Sequence, residues 1–495
     1  MVQDGLKTLA DLGLHASSGG AAKITGLSID SRTAAKGNLF AALPGSQVHG
    51  ARFVPDALKR GCAAVLTDRE GAAMAADAIH AAEASMVVAE DPRQALAYAA
   101  ALYFGRQPEV CVAVTGTNGK TSVASFTRQI WEGLGHHAAN LGTIGIEGAY
   151  QAPLGHTTPD AITLHRHLAA MSGQGVSRAA LEASSHGLDQ RRLDGVRLAA
   201  AGFSNFSQDH LDYHESFEAY FAAKAGLFQR VLAEDGIAVI NLDDPRARDI
   251  ETIANDRGQE VMSIGRNDDA DLRIEGQRFD ATGQDLLFSW QGRPHQTRFG
   301  LMGGFQARNV LLAAGLVIAA GEDPDDVFAT LENLTTVRGR MELVATRDNG
   351  AAAFVDYAHT PDAVATALKA LRPHVLGRIV IVLGAGGDRD RGKRRLMGEA
   401  AAAHADVVIV TDDNPRSEEP AAIRAMIREG CPDATEVADR AEAILRGVDA
   451  LQPGDALLIA GKGHETGQIV GDDILPFDDA EQASVAVAAL DGRPV

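Results

Sequence analysis

Cysteine is scarce in this chain, with Cys62, Cys111 and Cys431 the only thiols among 495 residues. Thiols so few and so scattered exclude a disulfide framework and a cysteine-ligated zinc site. Long apolar runs are also missing, and no segment approaches the roughly 18 consecutive apolar residues of a membrane-spanning helix. The opening MVQDGLKTLADLGLH lacks the basic and then apolar pattern of a secretory signal. These absences predict a soluble protein of the cytoplasm.

Basic residues are also in short supply. The 46 Lys and Arg residues face 66 Asp and Glu residues, which gives a net charge of −20. A surface with this charge repels the phosphates of nucleic acids and anionic lipids. We therefore expect neither a nucleic-acid nor a membrane partner.

Short apolar strands that end at glycines are what the chain has in abundance, as in VAVTG, RIVIVLGAGG and ALLIAGKG. They alternate with Ala- and Leu-rich helical stretches, which predicts α/β domains with parallel strands covered on both faces. Seams near 103–110 and 335–344 predict three domains. These are a smaller α/β N-terminal domain (1–106), a central α/β domain that contains a glycine-rich loop (107–337) and a C-terminal α/β domain (338–495).

The stretch CVAVTGTNGKTSVASF, residues 111–126, has the strand, glycine loop and helix of a phosphate-binding loop. Backbone N–H groups and the helix N-terminus of such a loop hold phosphate, while Lys120 would reach the terminal phosphates and Thr121 would ligate Mg²⁺. The usual pattern is incomplete, because Val114 stands where a glycine is expected. A tight turn with Lys120 in water is the alternative for these few residues, and the strand and helix around them favour nucleotide binding.

Two polar clusters follow, LEASSHGLDQRRLDG and SNFSQDHLDYH. Glu182 ends an apolar run in the first and could ligate a metal near the phosphates. Asp209, His210, Asp212 and His214 crowd the second, and such groups can bind a divalent ion. A solvated acidic loop is the alternative for any single member.

Lys224 lies on the apolar face of a predicted helix, SFEAYFAAKAGLF. Either its stem covers the core while its ammonium reaches water, or the amine is buried and becomes reactive. The helical spacing fits both.

Three C-terminal strands run into polar, glycine-bearing loops: RIVIVLG into AGGDRDRGKR, DVVIVT into DDNPRSEEP, and ALLIAG into KGHE. Ligands of open parallel sheets bind outside the carboxyl ends of the strands. The mixture of Arg, Asp, Asn, Lys and Glu predicts a zwitterionic small molecule, with arginine binding its carboxylates. Unrelated surface loops are the alternative.

Eight segments occur in order along the chain: TGTNGKT, EASSHGLDQRR, DHLDYH, GRME, DYAHTPDA, GGDRDRGKR, DNPR and GKGHE. Together they resemble the motifs of the Mur ligases of peptidoglycan synthesis, over essentially the whole chain. The loop of that family reads T-G-T-x-G-K-T, so Val114 is not a departure from it. The resemblance implies a three-domain ATP-dependent amide ligase that acts as a cytoplasmic monomer. The N-terminal domain would hold the uridine nucleotide, and the central domain, with a P-loop-type nucleotide-binding sheet, would hold ATP. The C-terminal domain would be Rossmann-like and hold the incoming amino acid.

The resemblance also implies substrates and cofactors. The γ-carboxylate of UDP-N-acetylmuramoyl-L-alanyl-D-glutamate would take the γ-phosphoryl group of ATP, and the amino group of meso-diaminopimelate would attack the acyl phosphate. Two Mg²⁺ ions are implied, together with a CO₂-derived carbamate on Lys224 (N6-carboxylysine).

Each implied role falls on numbered residues. The implied catalytic residues are Lys120, Glu182, His210 and Lys224, and the implied metal ligands are Thr121, Glu182 and His210. The implied ATP contacts are Gly116, Thr117, Asn118, Gly119, Lys120, Thr121, Ser122, Asn309, Arg340, Asp356 and His359. The implied UDP-sugar-peptide contacts are Ile29, Ser31, Ser46, Gln47, Val48, Thr157, Thr158, Ser184, Gln190 and Arg192. The implied diaminopimelate contacts are Arg389, Asp413, Asn414, Pro415, Arg416, Gly461 and Glu465.

Three positions depart from the family pattern. Gln306 replaces the first asparagine of G-x-F-N-x-x-N, His156 stands where some members have asparagine, and Ser46 replaces a frequent histidine. Other functions also remain open: folylpolyglutamate synthase or another Mur ligase, a nucleotide-driven switch or transport ATPase, and a non-catalytic UDP-sugar binding protein.

Overall fold

The computed structural model describes residues 6–18, 22–45, 48–207 and 213–493. The chain divides into two compact units, Met1–Ile264 with Leu312–Val327, and Gly265–Leu311 with Phe328–Val495. The mixed α/β fold class is confirmed, since each unit contains a mainly parallel sheet. The predicted domain boundaries remain predictions. Within the described ranges, the helices are too short or too polar to cross a membrane.

The first unit begins with a small parallel sheet and three helices. Its elements are β1 (Lys7–Thr8), β2 (Lys23–Ile24), β3 (Gly26–Ser28), β4 (Asn38–Ala41), α1 (Val54–Lys59), β5 (Ala64–Thr67), α2 (Arg69–Ala81), β6 (Ser85–Val88) and α3 (Pro92–Phe104). The strands β3, β4, β5 and β6 are neighbours in that order and run parallel. Asp68 caps α2 by accepting from the Gly71 N–H, and Asp91 caps α3 by accepting from the Gln94 N–H. These caps satisfy backbone donors that the helix starts leave unpaired.

The rest of the first unit is a larger sheet with helices on its faces. Its elements are β7 (Val110–Thr115), α4 (Lys120–Gly133), β8 (Ala138–Gly142), β9 (Gly145–Gly148), α5 (Ala161–Gly173), β10 (Arg178–Glu182), α6 (Ser185–Asp189), β11 (Leu198–Phe203), α7 (Phe217–Gly226), β12 (Ile237–Asn241), α8 (Ala247–Asp256) and β13 (Glu260–Gly265). A π-helical turn, Leu227–Val231, follows α7 directly. The buried β7 lies between β10 and β11 and runs parallel to both. The loops after these three strands therefore open at one edge of the sheet.

The second unit contains an antiparallel ladder and a second mainly parallel sheet. The chain continues with β14 (Leu272–Asp280), β15 (Gly283–Trp290), β16 (Arg293–Phe299), α9 (Gln306–Ala319) and α10 (Pro324–Thr330). Residues Leu312–Val327, which include the end of α9 and the start of α10, belong to the first unit. It then forms β17 (Glu342–Thr346), β18 (Ala352–Asp356), α11 (Pro361–Leu371), β19 (Ile379–Leu383), α12 (Gly392–His404), β20 (Val407–Val410), α13 (Pro420–Arg428), β21 (Thr435–Glu436), α14 (Arg440–Asp449), β22 (Ala456–Ala460), β23 (Gly467–Val470), β24 (Asp473–Pro476) and α15 (Asp479–Leu490).

The sheet of the second unit has the strand order β17-β18-β22-β19-β20-β21, with β17 antiparallel. One apolar cluster packs α11, α12 and α13 against one face, and another packs α14 and α15 against the opposite face. The three apolar runs predicted to be strands form β19, β20 and β22, which run parallel. Their polar loops consequently share an edge, as the sequence predicts.

Candidate active site

The glycine-rich loop lies between β7 and α4, and two glycines give it its shape. Gly116 has a φ of 149° and Gly119 a φ of 87°. A side chain at Gly116 would collide with the Ser204 hydroxyl, so this position needs glycine. Nζ of Lys120 donates to the carbonyls of Gly116 at 2.9 Å and Thr117 at 2.8 Å, which folds the lysine back over the loop. The predicted strand, loop and helix are all present.

Two residues that the sequence did not single out hold this loop from the end of β11. The Ser204 hydroxyl donates to the Asn118 carbonyl at 2.7 Å, and the Asn118 N–H donates to Asn205 Oδ1 at 2.9 Å. The Thr117 N–H donates to the Asn205 carbonyl at 2.8 Å. The sequence could have pointed to Ser204 and Asn205 only indirectly, because their contacts with the loop depend on β11 being the neighbour of β7 in the sheet.

Glu182 is a buried carboxylate, 1% exposed, at the carboxyl end of β10. Its Oε2 accepts from the Thr121 hydroxyl at 3.1 Å, and its Oε1 accepts from the Thr143 N–H at 2.9 Å. Hydroxyl and carboxylate oxygens side by side are ligands that Mg²⁺ prefers. Among the described residues no set of three His, Cys, Asp or Glu side chains surrounds a metal position, and His210 lies outside those residues.

A hydrogen-bonded network links Glu182 to the predicted UDP-sugar-peptide contacts. Thr143 contacts Thr157, with 3.0 Å between the hydroxyl oxygens, and Thr158 Oγ1 donates to the Glu182 carbonyl at 2.8 Å. Thr158 Oγ1 also accepts from the Ser184 N–H at 3.0 Å. Thr143 was not among the predicted site residues, and it joins Glu182 to Thr157.

Arg192 extends this network. It donates to the Thr158 carbonyl at 2.6 Å and to Gln190 Oε1 at 2.7 Å. Burial lowers the pKa of the Arg192 guanidinium, and Asp160 opposes that effect. The predicted contacts Thr157, Thr158, Ser184, Gln190 and Arg192 are thus brought together, while their roles remain predictions.

Lys224 is almost completely buried, with 1% of its surface exposed. Its Nζ donates to the Gly116 carbonyl at 2.7 Å and lies 4.5 Å from the centre of the Tyr220 ring. The alternative in which its ammonium reaches water is therefore excluded. The amine instead contacts the glycine-rich loop.

Other predicted contacts of the first unit lie apart from this network or outside the described residues. Ile29 and Val48 are exposed, at 43% and 39%, and Ser31 is partly exposed. His156 is exposed. Ser46, Gln47 and His210, with Asp209 and Asp212, lie outside the described residues.

The remaining predicted ATP contacts lie in the second unit. Asn309 on α9 is buried and donates from Nδ2 to Gln306 Oε1 at 3.0 Å. Gln306, which replaces the asparagine of the family pattern, therefore supplies Asn309 with a hydrogen-bond partner. Burial raises the pKa of Asp356, an effect that Arg340 opposes, and its carboxylate accepts from the Met341 N–H at 2.8 Å.

Four side chains near Asp356 form an aromatic and cationic group. The Arg340 guanidinium lies 4.7 Å from the centre of the Tyr357 ring, and the rings of Tyr357 and His359 lie 4.6 Å apart. The His464 ring lies at a tilt to the Tyr357 ring, with 5.1 Å between ring centres. Burial, followed by the charges of Arg340 and Arg338, lowers the pKa of His464 to about 4, so this ring is neutral at neutral pH. Neither Tyr357 nor His464 was predicted.

The loops after β19, β20 and β22 meet, as predicted. Arg416 donates from Nη1 to the Gly387 carbonyl at 2.8 Å, and Asn414 donates from Nδ2 to Glu465 Oε2 at 2.9 Å. Burial raises the pKa of Glu465, while its hydrogen bond from Asn414 opposes that shift. A side chain at Gly461 would approach Asp413, so Gly461 lies directly beside it. Of the remaining predicted contacts, Pro415 is buried and Arg389 is exposed.

An ion pair with no exposed surface on either side chain lies beneath these loops. Arg440 donates to Asp479 from Nε at 2.7 Å and from Nη2 at 2.7 Å, and Nη2 also donates to the Ala460 carbonyl at 3.0 Å. Although burial opposes the charged form, Asp479 raises the pKa of Arg440. The pair ties the first residues of α14 and α15 to the carboxyl end of β22.

Substituting Asp479 is expected to destabilise the second unit strongly. Asp479→Ala leaves Arg440 buried without its counter-charge, and the free energy of unfolding should fall by about 3–5 kcal/mol. Urea denaturation measures the change. Glu442→Ala is the control, because Glu442 lies on α14, the helix of Arg440, and pairs with Arg446 while both are half exposed. It should cost less than about 1 kcal/mol. Equal losses of unfolding free energy in the two variants would contradict a stabilising role for the Arg440–Asp479 ion pair.

Three sequence models of one family match the chain in succession. They are the Mur ligase family catalytic domain at residues 23–104, the Mur ligase middle domain at 114–317, and the Mur ligase glutamate ligase domain at 339–463.

Curated relatives and a solved structure extend this similarity. The UDP-N-acetylmuramoyl-L-alanyl-D-glutamate--2,6-diaminopimelate ligase of Bradyrhizobium diazoefficiens is 49% identical over 95% of this chain and 96% of its own length. The ligase of the same name from Caulobacter vibrioides is 49% identical over 94% of this chain and 96% of its own. A solved structure of a ligase of this name is 34% identical, with a TM-score of 0.73, over 98% of this chain and 99% of that one. The similarity therefore covers nearly the whole chain.

Proposed function

The chain belongs to the Mur ligase family, and from that premise we propose that it joins meso-diaminopimelate to UDP-N-acetylmuramoyl-L-alanyl-D-glutamate at the expense of ATP. The names of the relatives at 49% identity support this reaction. The product would be a precursor of peptidoglycan.

The observation that carries the proposal is the chain of contacts from Thr121 through Glu182 and Thr143 to Thr157. It joins the phosphate loop directly to the proposed contacts of the UDP-sugar peptide. An enzyme that phosphorylates a carboxylate needs its phosphate donor and its acceptor side by side, because positioning and charge stabilisation supply most of the catalysis in phosphoryl transfer.

In the proposed reaction the γ-carboxylate of the D-glutamyl residue attacks the γ-phosphorus of ATP, and ADP leaves. Lys120 stabilises the charge on the transferred phosphoryl group, and Arg192 binds the acceptor peptide. The amino group of diaminopimelate then attacks the acyl carbon, loses a proton and expels inorganic phosphate. Excluding water protects the acyl phosphate from hydrolysis.

Thr121 and Glu182 would hold a Mg²⁺ ion, which neutralises phosphate charge when bound. Their adjacent oxygens fit this ion, and we propose His210 as a further ligand and a second Mg²⁺ in the complete site. We also propose that Lys224 carries a carbamate. Its ammonium would first lose a proton, and the neutral amine would then attack the carbon of CO₂, forming an N–C bond as one C=O π bond opens and a second proton is released. A cation would thereby be replaced by an anion beside the glycine-rich loop.

We propose that the loops after β19, β20 and β22 bind diaminopimelate. Arg416 would bind its distal carboxylate as a planar fork, with Arg389 assisting, while Asp413, Glu465 and the Gly461 carbonyl would accept from its ammonium. L-Lysine lacks that carboxylate, so it would leave the guanidinium unpaired.

Arg416→Ala is therefore expected to lose most of the preference for meso-diaminopimelate over L-lysine. A lost charged partner in a desolvated site costs about 2–5 kcal/mol, which corresponds to a preference of about thirtyfold to several thousandfold in kcat/KM. Steady-state phosphate release with each amino acid measures this preference. Arg395→Ala, at an exposed arginine on α12, is the control. Comparable kcat/KM for the two amino acids in the unsubstituted enzyme would refute the assignment.

Phosphate release with a panel of amino acids tests the proposed function as a whole. We expect release only when ATP, the UDP-sugar dipeptide and meso-diaminopimelate are all present. Release with ATP alone would indicate a switch or transport ATPase. Release with a folate in place of the UDP-sugar dipeptide would indicate a folylpolyglutamate synthase, and UDP-sugar binding without release would indicate a binding protein. A cytoplasmic location and a monomeric state remain predictions.

A further inference from the structure

Lys462 is a fully buried lysine in the middle of the loop cluster, and it is not among the proposed substrate contacts. Its Nζ donates to Asn414 Oδ1 at 2.8 Å and to the Gly467 carbonyl at 2.7 Å. It also lies 3.6 Å from Asp413 Oδ1 and 3.7 Å from Glu465 Oε2, and its side chain is 0% exposed. Burial lowers the pKa of Lys462, and the charge of Asp413 opposes that shift. A buried ammonium is unfavourable unless several partners hold it, and here four do.

The contacts of Asn414 fix the direction of its side-chain amide. Oδ1 lies 2.8 Å from Lys462 Nζ and 2.9 Å from the backbone nitrogen of Ile469. An ammonium and a backbone N–H can only donate, so the atom that faces both must be the oxygen. The amide nitrogen therefore faces Glu465, whose Oε2 accepts from it at 2.9 Å.

This orientation prepares two groups for a zwitterionic ligand. An amide nitrogen carries two hydrogens, and Glu465 accepts one, so the second can be donated to a substrate carboxylate. Glu465 is held by Asn414 through one oxygen, and its other oxygen can accept from a substrate ammonium. A donor and an acceptor fixed beside one another match an amino-acid group, which carries both charges on one carbon.

We propose that Lys462 is a positioning residue for the amino-acid site, acting through Asn414 and Glu465 to present this donor and acceptor pair. The proposal rests on the proposed function, which supplies the amino acid. Without Lys462 the amide of Asn414 would lose one of the two donors that fix its direction, and Asp413 and Glu465 would lose their shared cation. Binding of the amino acid should then weaken, while the sites for ATP and the UDP-sugar peptide should not change.

A purely structural role is the alternative, because Lys462 also ties the β23–β24 hairpin to the cluster through Gly467. Gln468 offers a matched control. Its Nε2 donates to the Asp413 carbonyl at 2.7 Å, so it makes a similar tie between the hairpin and the loop without contacting the Asn414 side chain. Gln468→Met removes this tie and leaves the amide orientation intact.

The experiment compares Lys462→Met, Gln468→Met and the exposed-lysine control Lys369→Met with the unsubstituted chain. We expect Lys462→Met to raise KM for meso-diaminopimelate at least thirtyfold, with KM for ATP and for the UDP-sugar dipeptide within twofold and kcat within threefold. Gln468→Met should lower the melting temperature and change KM for meso-diaminopimelate less than threefold. Equal effects of the two variants on that KM, or an unchanged KM in folded Lys462→Met, would overturn the proposal.

Two further measurements keep the outcome decisive. If Lys462→Met does not fold, the double variant Asn414→Leu/Lys462→Met removes both polar partners together, which is less disruptive. It should show the same selective rise in KM for meso-diaminopimelate, and a KM equal to that of the unsubstituted chain would contradict the proposal.

Nitrogen NMR of the protein without substrates tests positioning independently of activity. The Asn414 side-chain amide resonance should shift in Lys462→Met and not in Gln468→Met, even if the unsubstituted chain proves to have a different activity.

Discussion

Lys120→Met is expected to abolish phosphate release, with a loss of at least about a thousandfold in kcat, as for other cations that stabilise phosphoryl transfer. Lys120 Nζ donates to the backbone carbonyls of Gly116 and Thr117, which belong to its own loop. The methionine keeps much of the side-chain volume, so the fold and the melting temperature should change little. Phosphate release with all three substrates measures the effect.

The matched control for that variant is Lys59→Met, at an exposed lysine of α1 that pairs with Asp56. It should retain full activity. Turnover in Lys120→Met within tenfold of the unsubstituted chain would remove the basis for placing ATP on this loop.

Lys224→Ala is expected to lose activity by about a thousandfold, as after removal of a charge-stabilising group. The physical reason is the proposed carbamate, which would be an anion on a residue that is only 1% exposed. Added bicarbonate or a short carboxylic acid should restore part of the activity, because a small anion can enter the space left by the side chain. Lys224→Arg, which keeps a cation and cannot form the carbamate, should stay inactive.

Mass spectrometry and crystallography of the active, metal-loaded protein check the same point directly. An unmodified Lys224 amine in a fully active preparation would contradict the carbamate, and so would full activity in Lys224→Arg. Rescue by neutral amides as well as by carboxylates would show that the restored property is volume rather than charge.

Local signals made much of the first unit predictable. The apolar run of β7, the glycines of the loop and the helix that follows are contiguous, so their order predicts this strand, loop and helix without knowledge of the rest of the fold. The three C-terminal loops were predictable for a related reason, since parallel strands necessarily end at one edge.

Pairings between distant segments could not be predicted in this way. The two alternatives for Lys224 differ only in where Nζ ends, and that depends on the Gly116 carbonyl, 108 residues away along the chain. The roles of Thr143 and Ser204 depend likewise on which strands are neighbours. The antiparallel strands β14 to β16 were not anticipated, and their partly exposed, alternating residues differ from the continuous apolar runs used to identify strands.

The pairing between Arg440 and Asp479 shows the same limit. An arginine at the start of one helix and an aspartate at the start of another resemble ordinary surface residues in the sequence. Only the packing of α14 beside α15 removes both from water.

The position of β22 constrains how the second unit folds. In the finished sheet β22 lies between β18 and β19, and Ala456 pairs with both Ala352 and Ile379. A nascent chain that has not yet incorporated β22 must keep β18 and β19 apart or pair them wrongly, and contacts between such distant segments slow folding. Such an intermediate exposes two unpaired apolar strand edges, which makes aggregation its main competing pathway. Insertion of β22 also brings in the loop that follows it. That loop contains Lys462, the residue that we propose positions Asn414.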